Sequence, residues 1–117
     1  MKDDIRVILA DNNVQDRESK KRLLNEQGIQ VVYETGDGKK ALENIKKLKP
    51  DVVVMDMILP GVDGLEILEE CREFTEYKPL FIIATALRRE GLIEQALAQG
   101  ANYYICLLYT SPSPRDR

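Results

Sequence analysis

The sequence predicts an α/β fold built around a parallel β-sheet. Short apolar runs rich in β-branched residues alternate along the chain with longer segments of helical periodicity. The runs are apolar at consecutive positions, as in strands that are covered on both faces. The resulting order, βαβαβαβαβ, is typical of a parallel sheet with helices on both sides. With 117 residues, 44% of them hydrophobic and 32% charged, the chain has the size and composition of one globular domain.

The first half of the chain predicts two strands and two helices. Residues 5–10 are an apolar run and form the first strand. Residues 14–27 suit a helix that stops at Gly28, and this helix is unusually polar. Its expected apolar anchors are Val14, Leu23 and Leu24. Residues 29–35 form the second strand, and after the turn at residues 36–38 a second helix presents the apolar face Ala41, Leu42, Ile45 and Leu48.

The second half continues the alternation. Pro50 ends the second helix, and residues 51–56 contain the third strand. A loop marked by Pro60-Gly61 and Asp63-Gly64 leads into a helix whose apolar stripe includes Leu65, Leu68 and Cys71. Residues 79–85 form the fourth strand, and a fifth strand begins at residues 102–105. Between them a fourth helix carries Ile93, Ala96, Leu97 and Gly100.

Acidic and amide side chains follow the first and third strands. Right-handed crossovers favour the flavodoxin-like doubly wound arrangement, with strand order 2-1-3-4-5. In that order the ligand-binding switch point lies between strands 1 and 3, so Asp11, Asn12 and Asp56 would share a pocket with Thr85 at the end of strand 4. An oxygen-rich pocket of this kind suits Mg²⁺. The alternative is that both aspartates only begin loops or cap helices, where Asp is common.

Composition excludes several functional classes. The net charge of −3 argues against direct nucleic-acid binding, and the longest apolar runs are too short to span a bilayer. The charged N-terminus shows no signal peptide, and the two cysteines, Cys71 and Cys106, lack CxxC spacing, so we expect free thiols in the cytoplasm. The chain contains no histidine, which excludes histidine-based catalysis and histidine-ligated metals.

Four segments resemble the receiver domains of bacterial two-component response regulators. They are Leu-Ala-Asp-Asn-Asn at 9–13, Met-Asp-Met-Ile-Leu-Pro-Gly-Val-Asp-Gly at 55–64, Ala-Thr-Ala at 84–86 and Gly-Ala-Asn-Tyr-Tyr-Ile at 100–105. The resemblance extends over residues 5–105, and the segment around Asp56 is its most specific part. Within the family, the sequence of these segments is most similar to the stage 0 sporulation protein A type.

The resemblance implies a role for each matching residue. Asp56 would accept a phosphoryl group from a histidine kinase or phosphotransferase. Asp11, Asn12, Asp56 and the backbone carbonyl of Ile58 would hold Mg²⁺, with Ca²⁺ or Mn²⁺ as alternatives. Thr85 would bond the phosphoryl oxygens, and Tyr104 would be the aromatic switch residue. For Tyr104 the alternative is a strand aromatic that simply packs on a helix.

The implied function is a phosphorylation-dependent signalling switch rather than an enzyme. Its transcriptional output, with sporulation as a candidate, would require a DNA-binding domain that is missing from the C-terminus. One alternative is a degenerate pseudo-receiver that binds partners without phosphorylation. Another is a flavodoxin-like ligand-binding protein, which is disfavoured because Asp-Asn-Asn, not a Gly-rich phosphate loop, follows strand 1.

The sequence departs from the family pattern at two places. The second acid after strand 1 is replaced by Asn12, so we expect weaker metal binding and slower phosphorylation. The Lys-Pro pair that follows strand 5 in the family is replaced by Leu107-Leu108, and a leucine cannot pair with the acceptor.

The last residues also change abruptly in composition. Residues 106–117 resemble a translated sequencing adapter, which would leave residues 1–105 as a truncated receiver domain without its fifth helix. The alternative is a genuine Pro-rich tail. Loss of that helix would expose one face of the sheet, so we expect marginal stability, and dimerisation of the fragment is doubtful.

Overall fold

Five strands and four helices alternate in the part of the chain that is described. The structure is a computed structural model that describes residues 5–86 and 89–106, without the side chain of Cys106. The elements are β1 (Arg6–Ala10), α1 (Val14–Glu26), β2 (Gln30–Thr35), α2 (Gly38–Leu48), β3 (Val52–Met55), α3 (Gly64–Cys71), β4 (Leu80–Thr85), α4 (Glu90–Ala98) and β5 (Tyr103–Cys106).

All strand pairs are parallel, and the order is β2-β1-β3-β4-β5. The predicted flavodoxin-like arrangement is therefore confirmed. Ala10 lies opposite Met55, and Met55 lies opposite Ile83, so the carboxyl ends of β1, β3 and β4 are aligned at one edge of the sheet. The adapter-like tail was predicted at residues 106–117. Cys106 is the last residue of β5, whereas residues 107–117, which also bear on the expected absence of a fifth helix, lie outside the described residues.

One face of the sheet, here called the α2–α4 face, carries the main hydrophobic core. Alternate strand residues point to it because successive side chains in a strand project to opposite sides. Ile8, Val53 and Ile83 are fully buried there. They pack in one cluster with residues from three helices, Ala41 and Ile45 of α2, Ile67 and Leu68 of α3, and Ala96 of α4.

The opposite face, here called the α1 face, is less completely covered. Val7 and Leu9 are buried near its centre, but Tyr103 and Ile105 at the β5 side remain 56% and 48% exposed. Helix α1 itself has no buried residue.

The expectation that Val14 and Leu23 anchor α1 was wrong, since they are 58% and 59% exposed, whereas Leu24, the third expected anchor, is half-buried. Polar contacts also hold this helix. Arg17 and Lys21 pair with Glu34 of β2, and Lys20 pairs with Asp11 at the end of β1.

Short polar side chains cap the N-termini of three helices. Asn13, Asp37 and Asp63 each accept a hydrogen bond from a backbone N–H in the first turn of α1, α2 and α3, respectively. Helix α4 ends at Ala98, so Gly100 does not belong to it as predicted; it follows with a φ of 117°. The longest helix described has 13 residues, and none of those described combines the length and apolarity needed to cross a membrane.

Candidate functional site

Asp11 and Asp56 lie side by side at the carboxyl edge of the sheet. Each is the first residue after its strand, β1 and β3, which are adjacent and in register. The backbone N–H of Asp56 donates to the carbonyl of Ala10 at 2.9 Å, and that of Asp11 donates to the carbonyl of Thr35 at 3.0 Å. The topology therefore brings together two carboxylates that are 45 positions apart in the sequence, as predicted for the switch point.

Thr85 holds the carboxylate of Asp56. Its hydroxyl donates to Oδ1 of Asp56 at 2.5 Å, and the Thr85 residue is only 2% exposed. The backbone N–H of Ile58 lies 3.4 Å from the same oxygen. Asp56 itself is half-buried. One oxygen of this carboxylate is thus fixed by β4 and by the loop that follows β3.

Asp11 is almost completely buried, with 1% of its surface exposed. Its Oδ1 accepts a hydrogen bond from the backbone N–H of Asn13 at 2.9 Å, and its Oδ2 lies 2.5 Å from the Nζ of Lys20. The same Nζ donates to the carbonyl of Ala84 at 3.2 Å. The ammonium group therefore balances the charge of a buried carboxylate, which would be costly to leave unpaired.

Arg17 supports this arrangement from the preceding turn of α1. One of its terminal nitrogens donates to the backbone carbonyl of Asp11 at 2.7 Å, and its Nε lies 3.3 Å from Glu34. Gly36 leaves room for the guanidinium, because a Cβ at this position would lie 2.9 Å from it.

Glu34 also pairs with Lys21 at 2.5 Å. The Lys21 hydrogen bond is the main reason why the pKa of Glu34 lies below its usual value, and Arg17 adds to the effect. The same hydrogen bond raises the pKa of Lys21. This network keeps Glu34 charged and holds the face of α1 that carries Arg17 and Lys20 against the strand ends.

The loop that follows Asp56 is held at both ends. The N–H of Gly38 donates to the carbonyl of Pro60 at 2.9 Å, and the N–H of Gly64 donates to the carbonyl of Met57 at 2.9 Å. A Cβ at Gly38 would lie 1.6 Å from the carbonyl oxygen of Val62, so only glycine permits this close approach. The backbone beside Asp56 is therefore positioned by α2 and α3.

The other predicted site residues lie at the same edge of the sheet or near it. Asn12 is exposed next to Asp11, and Ile58 is 59% exposed in the loop beside Asp56. Tyr104 is half-buried in β5, where it packs against the hydrophobic core. Sequence reasoning missed Lys20 and Arg17. Their spacing of three places them on one side of α1, but that pattern is common on polar helices and predicts no contact with Asp11.

The chemistry of the donor set fits a hard divalent cation. Asp11, Asp56, Asn12 and the carbonyl of Ile58 could all offer oxygen atoms, which Mg²⁺ prefers as ligands. Within residues 5–86 and 89–106, no three His, Cys, Asp or Glu side chains form a metal-binding cluster. With only two carboxylates, the pocket offers less negative charge than three would, and the ammonium of Lys20 reduces it further.

The sequence is similar to a known protein family along most of its length. The family model of the response regulator receiver domain matches residues 7–106. The transcriptional regulatory protein PdtaR of Mycobacterium tuberculosis is 33% identical over 100 residues, which is 86% of this chain and 48% of PdtaR. The chemotaxis protein CheY-3 of Vibrio cholerae is 32% identical over 115 residues, 97% of this chain and 88% of CheY-3. The chain thus spans about half the length of PdtaR but most of CheY-3.

A solved structure shows the same fold. The signal receiver domain of NarL from Mycobacterium tuberculosis superposes with a TM-score of 0.85 at 32% identity, over 92% of this chain and 86% of that chain.

Proposed function

The chain belongs to the response regulator receiver family, and on that premise we propose that Asp56 accepts a phosphoryl group from a histidine kinase or phosphotransferase. Receiver domains are signalling modules of two-component systems and are generally not enzymes. The observation that carries the proposal is the carboxylate of Asp56, held by Thr85 beside the buried Asp11 at the end of adjacent strands.

The geometry of Asp56 suits a nucleophile. Oδ1 receives the hydrogen bonds from Thr85 and Ile58, so Oδ2 is the oxygen that attacks phosphorus. A bond forms between Oδ2 and phosphorus while the bond from phosphorus to the donor breaks, and the donor keeps that electron pair. Transfer of this kind depends mainly on positioning and on neutralised charge.

Receiver domains generally bind Mg²⁺ at the phosphorylation site. In this chain Asp11, Asn12, Asp56 and the carbonyl of Ile58 would hold it, with Ca²⁺ or Mn²⁺ as alternatives. A bound divalent cation supplies positive charge that reduces repulsion between the carboxylates and an anionic phosphoryl donor.

Thr85 and Tyr104 are the proposed switch residues. The Thr85 hydroxyl already donates to Asp56, and the new phosphoryl oxygens would compete for that hydrogen bond. Tyr104 is close to the core and only half-buried, so its ring can adopt a more buried position when Thr85 moves. Both assignments come from the family resemblance and are compatible with these contacts.

The output of the switch follows from the relatives rather than from this chain. PdtaR is a transcriptional regulatory protein about twice as long as the matched region, and we propose a transcriptional output through a further domain. Cytoplasmic localisation, a sporulation role, the stage 0 sporulation protein A type and a non-native tail at residues 106–117 remain predictions from the sequence.

A phosphorylation-independent interaction module is the second candidate. It is favoured by Asn12, which lowers the acidic charge of the pocket, and by the Lys20 contact with Asp11. In that case Asp56 would keep its hydrogen bonds but would not be modified.

Intact-mass measurement separates the two functions. The protein is incubated with Mg²⁺ and acetyl phosphate, a small phosphodonor that needs no cognate kinase. We expect a gain of one phosphoryl group that is absent in Asp56→Asn and unchanged in Asp16→Asn, an exposed aspartate on α1. If the wild type gains no mass with acetyl phosphate or with a panel of phosphorylated histidine kinases, the phosphorylation proposal is wrong and the second candidate is favoured.

A further inference from the structure

Lys20 places a cation inside the proposed phosphorylation pocket. Its ammonium lies 2.5 Å from Oδ2 of Asp11 and 3.2 Å from the carbonyl of Ala84, so it bridges the ends of β1 and β4. The Lys20 side chain is 18% exposed and that of Asp11 is 1% exposed. The contact is therefore largely shielded from solvent, unlike an ordinary surface ion pair.

The adjacent lysine shows that this placement is specific. Lys21 is 43% exposed and pairs with Glu34 on β2, away from Asp11. Both residues have the same charge and lie on the same helix. Only Lys20 reaches the pocket, because it faces the strand ends.

Asp11 has hydrogen-bond partners on both of its oxygens. Asn13 donates to Oδ1 and Lys20 donates to Oδ2. A divalent cation on Oδ2 would lie close to the ammonium, and the repulsion between the two positive charges makes them compete for Asp11. Asn12 adds no charge that could offset this competition. With Asp11, Asp56 and Lys20, the formal charge of the pocket is −1 instead of −2.

We propose that Lys20 is an internal counter-cation that competes with the divalent metal for Asp11 and so sets the metal concentration at which Asp56 can be phosphorylated. The inference rests on the proposed function and adds a regulatory residue to it. In the metal-free protein Lys20 stabilises the buried Asp11, and metal binding requires its release. The chain would then stay unphosphorylated at low metal concentration even when a phosphodonor is present.

Calorimetric titration with Mg²⁺ at fixed ionic strength tests this competition. Lys20→Gln removes the charge but keeps an amide that can donate to Asp11 and Ala84, and Lys20→Met removes both properties. Arg22→Gln is the matched control, since it removes one positive charge from an exposed position two residues away on the same helix. We expect Lys20→Gln to bind Mg²⁺ about tenfold more tightly than the wild type, and Arg22→Gln to change affinity by less than about twofold.

Two further measurements define the mechanism. Thermal melts of each variant without metal establish that it is folded, and Lys20→Gln keeps the test valid if Lys20→Met does not fold. The double variant Asp11→Asn/Lys20→Gln should bind Mg²⁺ no more tightly than Asp11→Asn alone, because Lys20 acts through Asp11. If Lys20→Gln still increases the affinity in the Asp11→Asn protein, this route is contradicted.

The outcomes separate this inference from the proposed function. Equal or weaker Mg²⁺ binding by Lys20→Gln overturns the role of Lys20, and the phosphorylation proposal stands if acetyl phosphate still modifies Asp56. If the wild type does not bind Mg²⁺ but Lys20→Gln does, the competition is supported. If neither protein binds Mg²⁺, both the competition and the proposed metal site are wrong.

Discussion

The two faces of the sheet are built by different physical means. On the α2–α4 face, buried apolar residues of three helices pack against Ile8, Val53 and Ile83. On the α1 face, the helix has no buried residue and is held by ionic contacts to Asp11 and Glu34. The first face provides the hydrophobic core that stabilises the fold. The second provides the positive charge beside the carboxylates of the site.

The two faces should differ most in how much the free energy of unfolding falls when the same leucine truncation is made on each. Leu68 on α3 is 1% exposed, and Leu23 on α1 is 59% exposed. Leu68→Ala should lower the free energy of unfolding by about 2–5 kcal/mol, because it leaves a cavity in the core. Leu23→Ala should change it by less than about 0.5 kcal/mol. Urea unfolding measures both, and equal losses would contradict the described difference between the faces.

Thiol labelling compares the accessibility of the two faces. Cys71 lies in the core of the α2–α4 face, and burial raises the pKa of its thiol from 9.0 to about 12. A rise of this size lowers the reactive thiolate fraction at pH 8 roughly a thousandfold. In a Cys106→Ser/Ile105→Cys protein, iodoacetamide should modify residue 105 on the α1 face and leave Cys71 unmodified until urea is added. Rapid labelling of Cys71 in the folded protein would contradict its burial in the core of the α2–α4 face.

Alkaline pH should lower the free energy of unfolding through two titratable groups that pack on the α2–α4 face. Burial raises the pKa values of both Cys71 and Tyr77, so the unfolded chain releases these protons before the folded chain does. Their stabilising contribution is complete below about pH 9 and decreases as the pH rises toward the folded-state values. Urea unfolding between about pH 8 and 11 should show falling stability, with a shallower fall in Cys71→Ala. The same slope in both proteins would exclude a contribution from Cys71.

The smallest effect on stability is expected at the exposed edge of the α1 face. Ile105→Thr keeps a β-branched side chain on β5 and removes exposed apolar surface, so it should change stability by less than about 0.5 kcal/mol while reducing aggregation. Ile83→Thr is the buried counterpart on β4 and should be strongly destabilising, because its hydroxyl enters the core. Light scattering and urea unfolding distinguish the two. If Ile105→Thr aggregates as much as the wild type, the exposed surface at Ile105 does not drive aggregation.

The sequence was sufficient to predict the sheet because its strands carry a strong local signal. The short, mostly β-branched run at Val52–Met55 favours a strand covered on both faces, and parallel topology then brings Asp11 and Asp56 together. Thr85 follows from the same reasoning, since it ends the adjacent strand. These positions depend on strand direction and order, which follow from the alternation of strands and helices and from right-handed crossovers.

Helix α1 was the part that local patterns described poorly. Val14 and Leu23 looked like anchors because apolar residues usually face the core, yet here the polar side of the helix faces the strand ends. Lys20 and Lys21 are indistinguishable in sequence, and only tertiary packing directs Lys20 to Asp11. Contacts of long charged side chains depend on the rotation of the helix, for which α1 carries no strong apolar stripe.

A nuclear magnetic resonance titration tests most directly whether the ends of β1, β3 and β4 form one cation-binding site. Mg²⁺ is added to ¹⁵N-labelled protein, and the amide signals of Asp11, Asp56 and Thr85 are followed. The three signals should shift along one saturation curve, and Asp56→Asn should weaken the curve for Asp11 as well. Different curves at the three positions, or a shift at Asp56 without one at Asp11, would contradict a shared site.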